Sequence, residues 1–333
     1  MLNFAYHRPD SLSAAIDAAR VEGADILAGG TTMIDLMKIG VREPSALVDI
    51  TGLAALEGLE VGADRIRFGA LARMADVADD AELTAAAPVL TESLWKAASP
   101  QLRHAARLGG NILQRTRCPY FRDTAFAQCN KREPGSGCAA LDGGETNLHA
   151  ILGGSDACVA MYPGDWAQAL IAFDAEVTTQ GTGGTRTIPF ADLHVLPGDM
   201  PEVETILEPG EIVTEITVPV VPALKASHYL KARDRESYAF ASASAAVGVE
   251  IEGDVVGDVR IALGGVAAVP WRAREAEESL KGGPLTEETA REAGRIAFAE
   301  ARPLEGSAYK IRLGADVVAG ALMTAKSRAN GGE

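Results

Sequence analysis

Residues 25–39 read DILAGGTTMIDLMKI. An apolar run, Ile26-Leu27-Ala28, enters a glycine pair, Gly29-Gly30, and two threonines, Thr31 and Thr32; from Met33 to Ile39 the apolar residues return at helical spacing. The order is strand, glycine turn, helix. Glycines let a backbone approach a ligand closely, and free amides at a helix start attract phosphate oxygens, with the two threonine hydroxyls beside them. The stretch is a candidate pyrophosphate cradle, with a plain turn as the alternative. It matches neither G-x-G-x-x-G nor G-x-x-x-x-G-K-[ST], so the Rossmann and P-loop assignments lack their motifs.

Upstream, residues 11–21 read as an amphipathic helix with Leu12, Ala15, Ile16 and Ala19 on one face and Ser11 or Ser13 at its start. Downstream, 46–50 reads as a second strand and 59–68 as a hairpin turning near Gly62-Ala63-Asp64. This is a small α/β unit. Residues 75–98 are helical in pattern, with Pro88 dividing or starting a helix and Pro100 ending one. A second glycine pair, Gly109-Gly110, followed by Asn111, comes after Ser99-Pro100-Gln101. If both pairs approach one dinucleotide, the segment after Asn111 lies close to that cofactor.

That segment, 112–158, holds all four cysteines of the chain: Cys118, Cys129, Cys138 and Cys158, spaced C-x10-C-x8-C-x19-C. Structural zinc favours C-x2-C hooks, and none of these gaps is that short. Disulfides suit small secreted domains without a core, whereas a chain of 333 residues with 47% hydrophobic content does not need them. Four thiolates from a long Gly- and Pro-punctuated loop suit an iron–sulfur cluster, best a [4Fe–4S] cluster. Spacing alone leaves this reading beside that of four ordinary buried thiols. Arg115, Arg117, Arg122, Lys131 and Arg132 crowd the first three cysteines. They would stabilise thiolates and a reduced cluster, or else form a solvated face.

Lys plus Arg number 31 against 46 Asp plus Glu, a formal net charge of -15, which disfavours nucleic acid as a partner. No apolar run approaches the length of a membrane span. The amino terminus has no basic leader followed by an apolar run. The expectation is a chain with no export signal of its own, periplasmic if carried out folded by a signal-bearing partner and cytoplasmic otherwise.

After the cysteines, 157–162 reads as a strand, 166–173 as a helix and 176–189 as a hairpin around Gly181-Thr182-Gly183-Gly184. Residues 199–210 are rich in Pro, Gly and acid and read as a domain boundary. Beyond it, 211–219, 227–233, 242–251 and 255–263 are strand candidates, and 271–280, 287–301 and 309–325 are helical in pattern. The expected fold class is α+β, an antiparallel sheet covered by helices closing the chain. The histidines His7, His104, His149, His194 and His228 are scattered and read as surface or satisfied core residues.

Taken together, Ala28-Gly29-Gly30-Thr31-Thr32, the pairing of Ser99-Pro100-Gln101 with Gly109-Gly110-Asn111, and Lys231-Ala232-Arg233 resemble the FAD-binding subunit of the molybdenum hydroxylases. This is the xanthine dehydrogenase and carbon monoxide dehydrogenase family. The likeness runs over essentially the whole chain. It implies a two-lobed FAD-binding domain of the vanillyl-alcohol-oxidase type over 1–206, then a smaller antiparallel-sheet-plus-helices domain over 211–333. CPYFRD, CNKREPGSGCAAL and HAILGG are similar to the branch of bacterial αβγ aldehyde oxidoreductases whose flavin subunit carries an extra [4Fe–4S] cluster. The resemblance implies that Leu27, Ala28, Gly29, Gly30, Thr31, Thr32, Met33 and Ile34 wrap the FAD diphosphate, with Gly110 and Asn111 as its second wall. It puts Asp165 and Lys231 near the flavin end and makes Cys118, Cys129, Cys138 and Cys158 the cluster ligands. Arg107-Leu108 departs from the commoner T-[IV]-G-G-N pattern, which puts that position's FAD contact in doubt.

The function implied is electron transfer, with no substrate oxidation on this chain. A molybdenum-cofactor large subunit would oxidise an aldehyde, a small subunit would carry [2Fe–2S] clusters, and FAD here would pass electrons to an external acceptor. The rivals are a self-sufficient flavin oxidase, a flavin subunit serving a heterocycle or purine hydroxylase, and a non-enzymatic iron–sulfur module.

Overall fold

The computed structural model describes residues 1–332; Glu333, the last residue of the expected second domain, lies outside them. Three sheets organise the chain. The first is parallel, with Ala46–Asp49 between Ala5–His7 and Ala24–Leu27. Parallel neighbours need crossovers, and two helices supply them. Leu12–Ala19, capped by the Ser11 hydroxyl, joins the outer strands; Met33–Lys38 returns the chain to the centre. Ala15, Ile16 and Ala19 bury the helix stripe against Val48 and Ile50, as the apolar spacing predicts. Ala24–Leu27 is half-buried rather than buried, because it is an edge strand.

The second sheet is antiparallel and runs Leu59–Val61, Arg65–Gly69, Ile212–Pro219, Glu176–Gly181, Gly184–Pro189. Both hairpins turn where the glycines predict. Short helices, from Met74–Ala78 to Leu108–Ile112, and the wholly buried helix Trp166–Ala172 pack on it around Phe68, Trp166 and Phe173. Pro88 opens its own helix, Pro88–Trp95.

One element corrects the domain division. The stretch 211–219 is expected to open the carboxy-terminal domain, but Ile212–Pro219 lies between Arg65–Gly69 and Glu176–Gly181 in the second sheet. Its apolar face, Ile216 and Val218, is wholly buried in that lobe's core, so the strand belongs with the chain before it. Two further differences are local. Residues 157–162 form no ladder; the Tyr162 amide donates instead to Ala267 O and the Thr116 hydroxyl to Met161 O. The helix expected from 271 begins at Arg274, after a two-residue strand, Trp271–Arg272.

The third sheet is antiparallel in the order Trp271–Arg272, Val255–Gly264, Ala243–Glu252, Ser227–Ala232, and the helices Arg274–Leu280, Glu287–Ile296 and Tyr309–Ala329 cover it. Its core is a separate cluster built on Val247, Ile261, Leu263 and Leu322. The class is α+β. Among the described residues no helix is long and apolar enough to cross a membrane.

Candidate functional site

The loop from Ala28 to Thr32 leaves the carboxyl end of a parallel strand, the place where open α/β sheets present ligands. Its two glycines do different work. A Cβ on Gly29 would collide with the Ala105 carbonyl, so this glycine lets the first lobe close against the second. Gly30 has φ +73°, a left-handed conformation that turns the chain into Met33–Lys38. The amides of Gly29, Gly30, Thr31, Thr32 and Met33 donate to no backbone carbonyl among the described residues. Unpaired amides on a cavity wall suit an anionic ligand.

Facing them is the helix Leu108–Ile112, so the second glycine pair sits inside a helical turn rather than a loop. Gly109 packs on Ala70, whose carbonyl accepts the Gly109 amide at 2.8 Å. Gly110 is open: a Cβ there would meet nothing within 4 Å. Two cavities, about 440 and 800 Å³, share Thr31, Thr32 and Gly110 and form one cleft running both ways from that constriction. One arm passes Asp25, Arg42, Ile50 and Ile212; the other reaches Asp165, Asp234, Tyr238 and Phe240. Several buried polar atoms on its walls have no partner among the described residues: Asn111 Oδ1, Glu202 Oε2, and Arg107 Nε and Nη1. Burial pushes the Arg107 guanidinium below its ordinary pKa.

Of the residues expected to touch a dinucleotide, Ala28 to Met33, Gly110, Asn111 and Asp165 line this cleft. Leu27 and Ile34 line neither arm. Leu27 gives its carbonyl to the Ile50 amide, and Ile34 packs under Gly30. Lys231 stands behind the wall: its ammonium donates to Asp165 Oδ2 at 2.9 Å, both side chains nearly wholly buried, while the Tyr229 hydroxyl donates to Asp165 Oδ1 at 2.6 Å. Burial and the Asp165 charge keep the Tyr229 phenol well above its usual pKa. Arg107 and the loop carrying Asp234, Tyr238 and Phe240 are wall residues that sequence reasoning misses; the signal at Arg107 is only its departure from a glycine-turn pattern.

The cysteines converge as well. All four are free and line one small cavity with His149, Asn130 and Lys131. Cys129 and Cys138 face each other across a short antiparallel bridge, held by Asn130, whose amide donates to Gly137 O while its Oδ1 accepts from the Gly137 amide. Gly135 and Gly137, both at positive φ, make the turn. Burial pushes the Cys118 thiol up to about 12 and raises that of Cys158. Buried His149 lies with Nε2 3.3 Å from Cys118 Sγ, and burial lowers its pKa. Among the described residues no three His, Cys, Asp or Glu side chains are drawn together tightly enough to hold a metal ion.

The basic residues of this loop act mostly as ties. Arg117 and Arg122 both pair with Asp35 of the first-lobe helix at 2.8 Å, Arg115 and Lys131 pair with Glu204, and Arg132 donates to the carbonyls of Tyr120 and Phe121. Of the five, only Lys131 lines the cysteine cavity.

Residues 2–221 match the model of the FAD binding domain in molybdopterin dehydrogenase, and residues 227–324 that of the CO dehydrogenase flavoprotein C-terminal domain. The chain belongs to the molybdopterin dehydrogenase FAD-binding family. Within this family it is 43% identical over 333 residues to the aldehyde oxidoreductase FAD-binding subunit PaoB of Escherichia coli, covering 99% of this chain and 100% of that one. It is 28% identical to the carbon monoxide dehydrogenase medium chain of Hydrogenophaga pseudoflava, covering 98% of each. The solved carbon monoxide dehydrogenase of that organism superposes with a TM-score of 0.76 at 26% identity, covering 98% of each chain. The quinoline 2-oxidoreductase of Pseudomonas putida shares the fold, with a TM-score of 0.76 at 20% identity. The loop from Gly29 to Met33, Gly110 and Arg107 therefore lie in the part of the chain that matches an FAD binding domain.

Proposed function

We propose that this chain is the FAD-binding electron-transfer subunit of a molybdenum-containing aldehyde oxidoreductase. The observation that carries the reading is full-length identity of 43% to an aldehyde oxidoreductase FAD-binding subunit, joined to a cleft whose constriction presents unpaired amides. FAD, when bound, exchanges electrons singly or in pairs, which lets it serve between one-electron centres and an acceptor. The chain's own part is to hold it. Gly29 to Met33 and Gly110 would take the diphosphate at the constriction, and Arg107, with unsatisfied nitrogens on the wall, offers an anion two more donors. Asp165, fixed by Tyr229 and Lys231, and Asn111 would border the other arm. Substrate would be oxidised on a molybdenum-cofactor large subunit, a small subunit would carry [2Fe–2S] clusters, and an external acceptor would take the electrons from this αβγ heterotrimer.

Cys118, Cys129, Cys138 and Cys158 would hold a [4Fe–4S] cluster. Four unpaired thiols on one cavity wall, with a cation, Lys131, among them, support it. A cluster also accounts for thiols that converge without closing on a single ion. The test is an absorption spectrum with iron and flavin assays on the purified native assembly and on a Cys129→Ser variant. The expected result is a flavin envelope with about four irons per chain beyond those of any partner, lost in the variant while FAD stays. A variant that keeps its iron refutes the cluster; absence of flavin refutes the whole reading. Aldehyde oxidation by this chain alone would favour the self-sufficient oxidase.

A further inference from the structure

We propose that His149 donates a hydrogen bond from Nε2 to the sulfur of Cys118 and thereby sets the reduction potential of the iron–sulfur cluster held by the cysteine loop. The inference rests on the cluster reading of that loop. His149 is 31 residues from Cys118 in sequence and is brought to it by a turn in which its amide donates to Thr146 O at 3.0 Å. Nε2 is 3.3 Å from Sγ, within reach of a hydrogen bond to sulfur. The ring is 1% exposed and stacks on Tyr120, with centroids 5.9 Å apart and planes 25° from parallel. The Tyr120 hydroxyl is itself tied to Glu145 O. The imidazole is therefore held facing the sulfur.

The direction of the bond follows from the chemistry of a ligand thiolate. Bound to iron, Cys118 has no proton to give, so an attractive contact needs the proton on Nε2. Among the four cysteine sulfurs of the described residues, Cys118 alone meets a side-chain donor; Cys158 meets the Ala160 amide. Hydrogen bonds to cluster sulfurs stabilise the reduced, more negative state and raise the potential. His149 acts through Cys118 and is a positioning residue.

The experiment is an EPR-monitored redox titration of the purified assembly, with His149→Leu to remove the donor and His149→Gln to keep one. Wild type and both variants are first assayed for iron. The expected result is iron retained in both, a midpoint lowered in His149→Leu by a tenfold change in the reduction equilibrium, 59 mV for one electron, and recovered in large part by His149→Gln. An exchangeable proton coupled to the reduced cluster in ENDOR spectra should vanish in His149→Leu and persist in His149→Gln. A loss of packing alone would move neither in that pattern. An unchanged midpoint in His149→Leu overturns the proposal, as does iron loss from both variants, which would make His149 part of the site's construction. A wild type without the extra iron removes the cluster reading first, and that outcome is read before any variant.

Discussion

Gly110 offers the sharpest test of the cleft, because its missing side chain separates a folding role from a binding role. Gly110→Val places a branched side chain at the constriction shared by both arms, where its Cβ meets nothing within 4 Å of the protein itself. The residue lies within the helix Leu108–Ile112, where glycine is disfavoured by up to about 1 kcal/mol relative to alanine. Apo stability should therefore stay within about 0.5 kcal/mol of wild type. FAD affinity should fall about 100-fold, or about 2.8 kcal/mol at about 1.4 kcal/mol per decade. At FAD equal to about 100 times the wild-type Kd, wild type gains about 2.7 kcal/mol from the ligand and the variant about 0.4. That difference corresponds to a Tm gap of about 3–5 °C, present only with FAD. The assays are flavin fluorescence titration and thermal melts of the deflavinated assembly with and without FAD. Unchanged FAD affinity in Gly110→Val would refute the placement of the diphosphate, and a fall in apo Tm would show that the side chain strikes protein instead. Gly29→Ala should give the opposite pattern, a lower apo Tm, since its Cβ collides with the Ala105 carbonyl.

Two further outcomes are expected. Lys231→Met should cost about 3–5 kcal/mol in denaturation, because it strands the Asp165 carboxylate, and Asp165→Asn with Lys231→Met should cost clearly less than the two single changes summed; strict additivity would show that the pair is not coupled. Glu211 has its pKa lowered to about 2: burial opposes the shift, and hydrogen bonds from Arg186 and Thr179 more than offset it. The unfolded chain takes up the proton first, near the ordinary glutamate value of about 4.3, so the stabilisation is complete above that pH and is lost as pH falls toward about 2. Glu211→Gln should thus be less stable at neutral pH and converge on wild type by about pH 2 in urea melts across pH; a gap that persists to that pH would contradict the assignment.

The features legible in the chain before folding are local or compositional. The strand, glycine turn and helix of 25–39, the Ser11 cap and the two hairpins follow from patterns a few residues long, and their propensities agree with the tertiary result. The confinement of four cysteines to 118–158 announced a shared environment, and the cavity they line is that environment. Partnership, by contrast, is settled only in the folded chain. An alternating strand such as Ile212–Pro219 says which side is buried but not which neighbour it will pair with, and its pairing with Arg65–Gly69 spans more than a hundred residues. Nothing in the sequence around Lys231 shows its partners; only the fold closes Asp165 and Tyr229 around it. The walls formed by Arg107 on one arm and by the loop of Asp234, Tyr238 and Phe240 on the other come from separate stretches of chain that reach the cleft only in the fold. His149 opens the HAILGG stretch, but nothing in that stretch gives its role, which lies in Cys118 31 residues away, and such proximity is set by the packing of the whole chain.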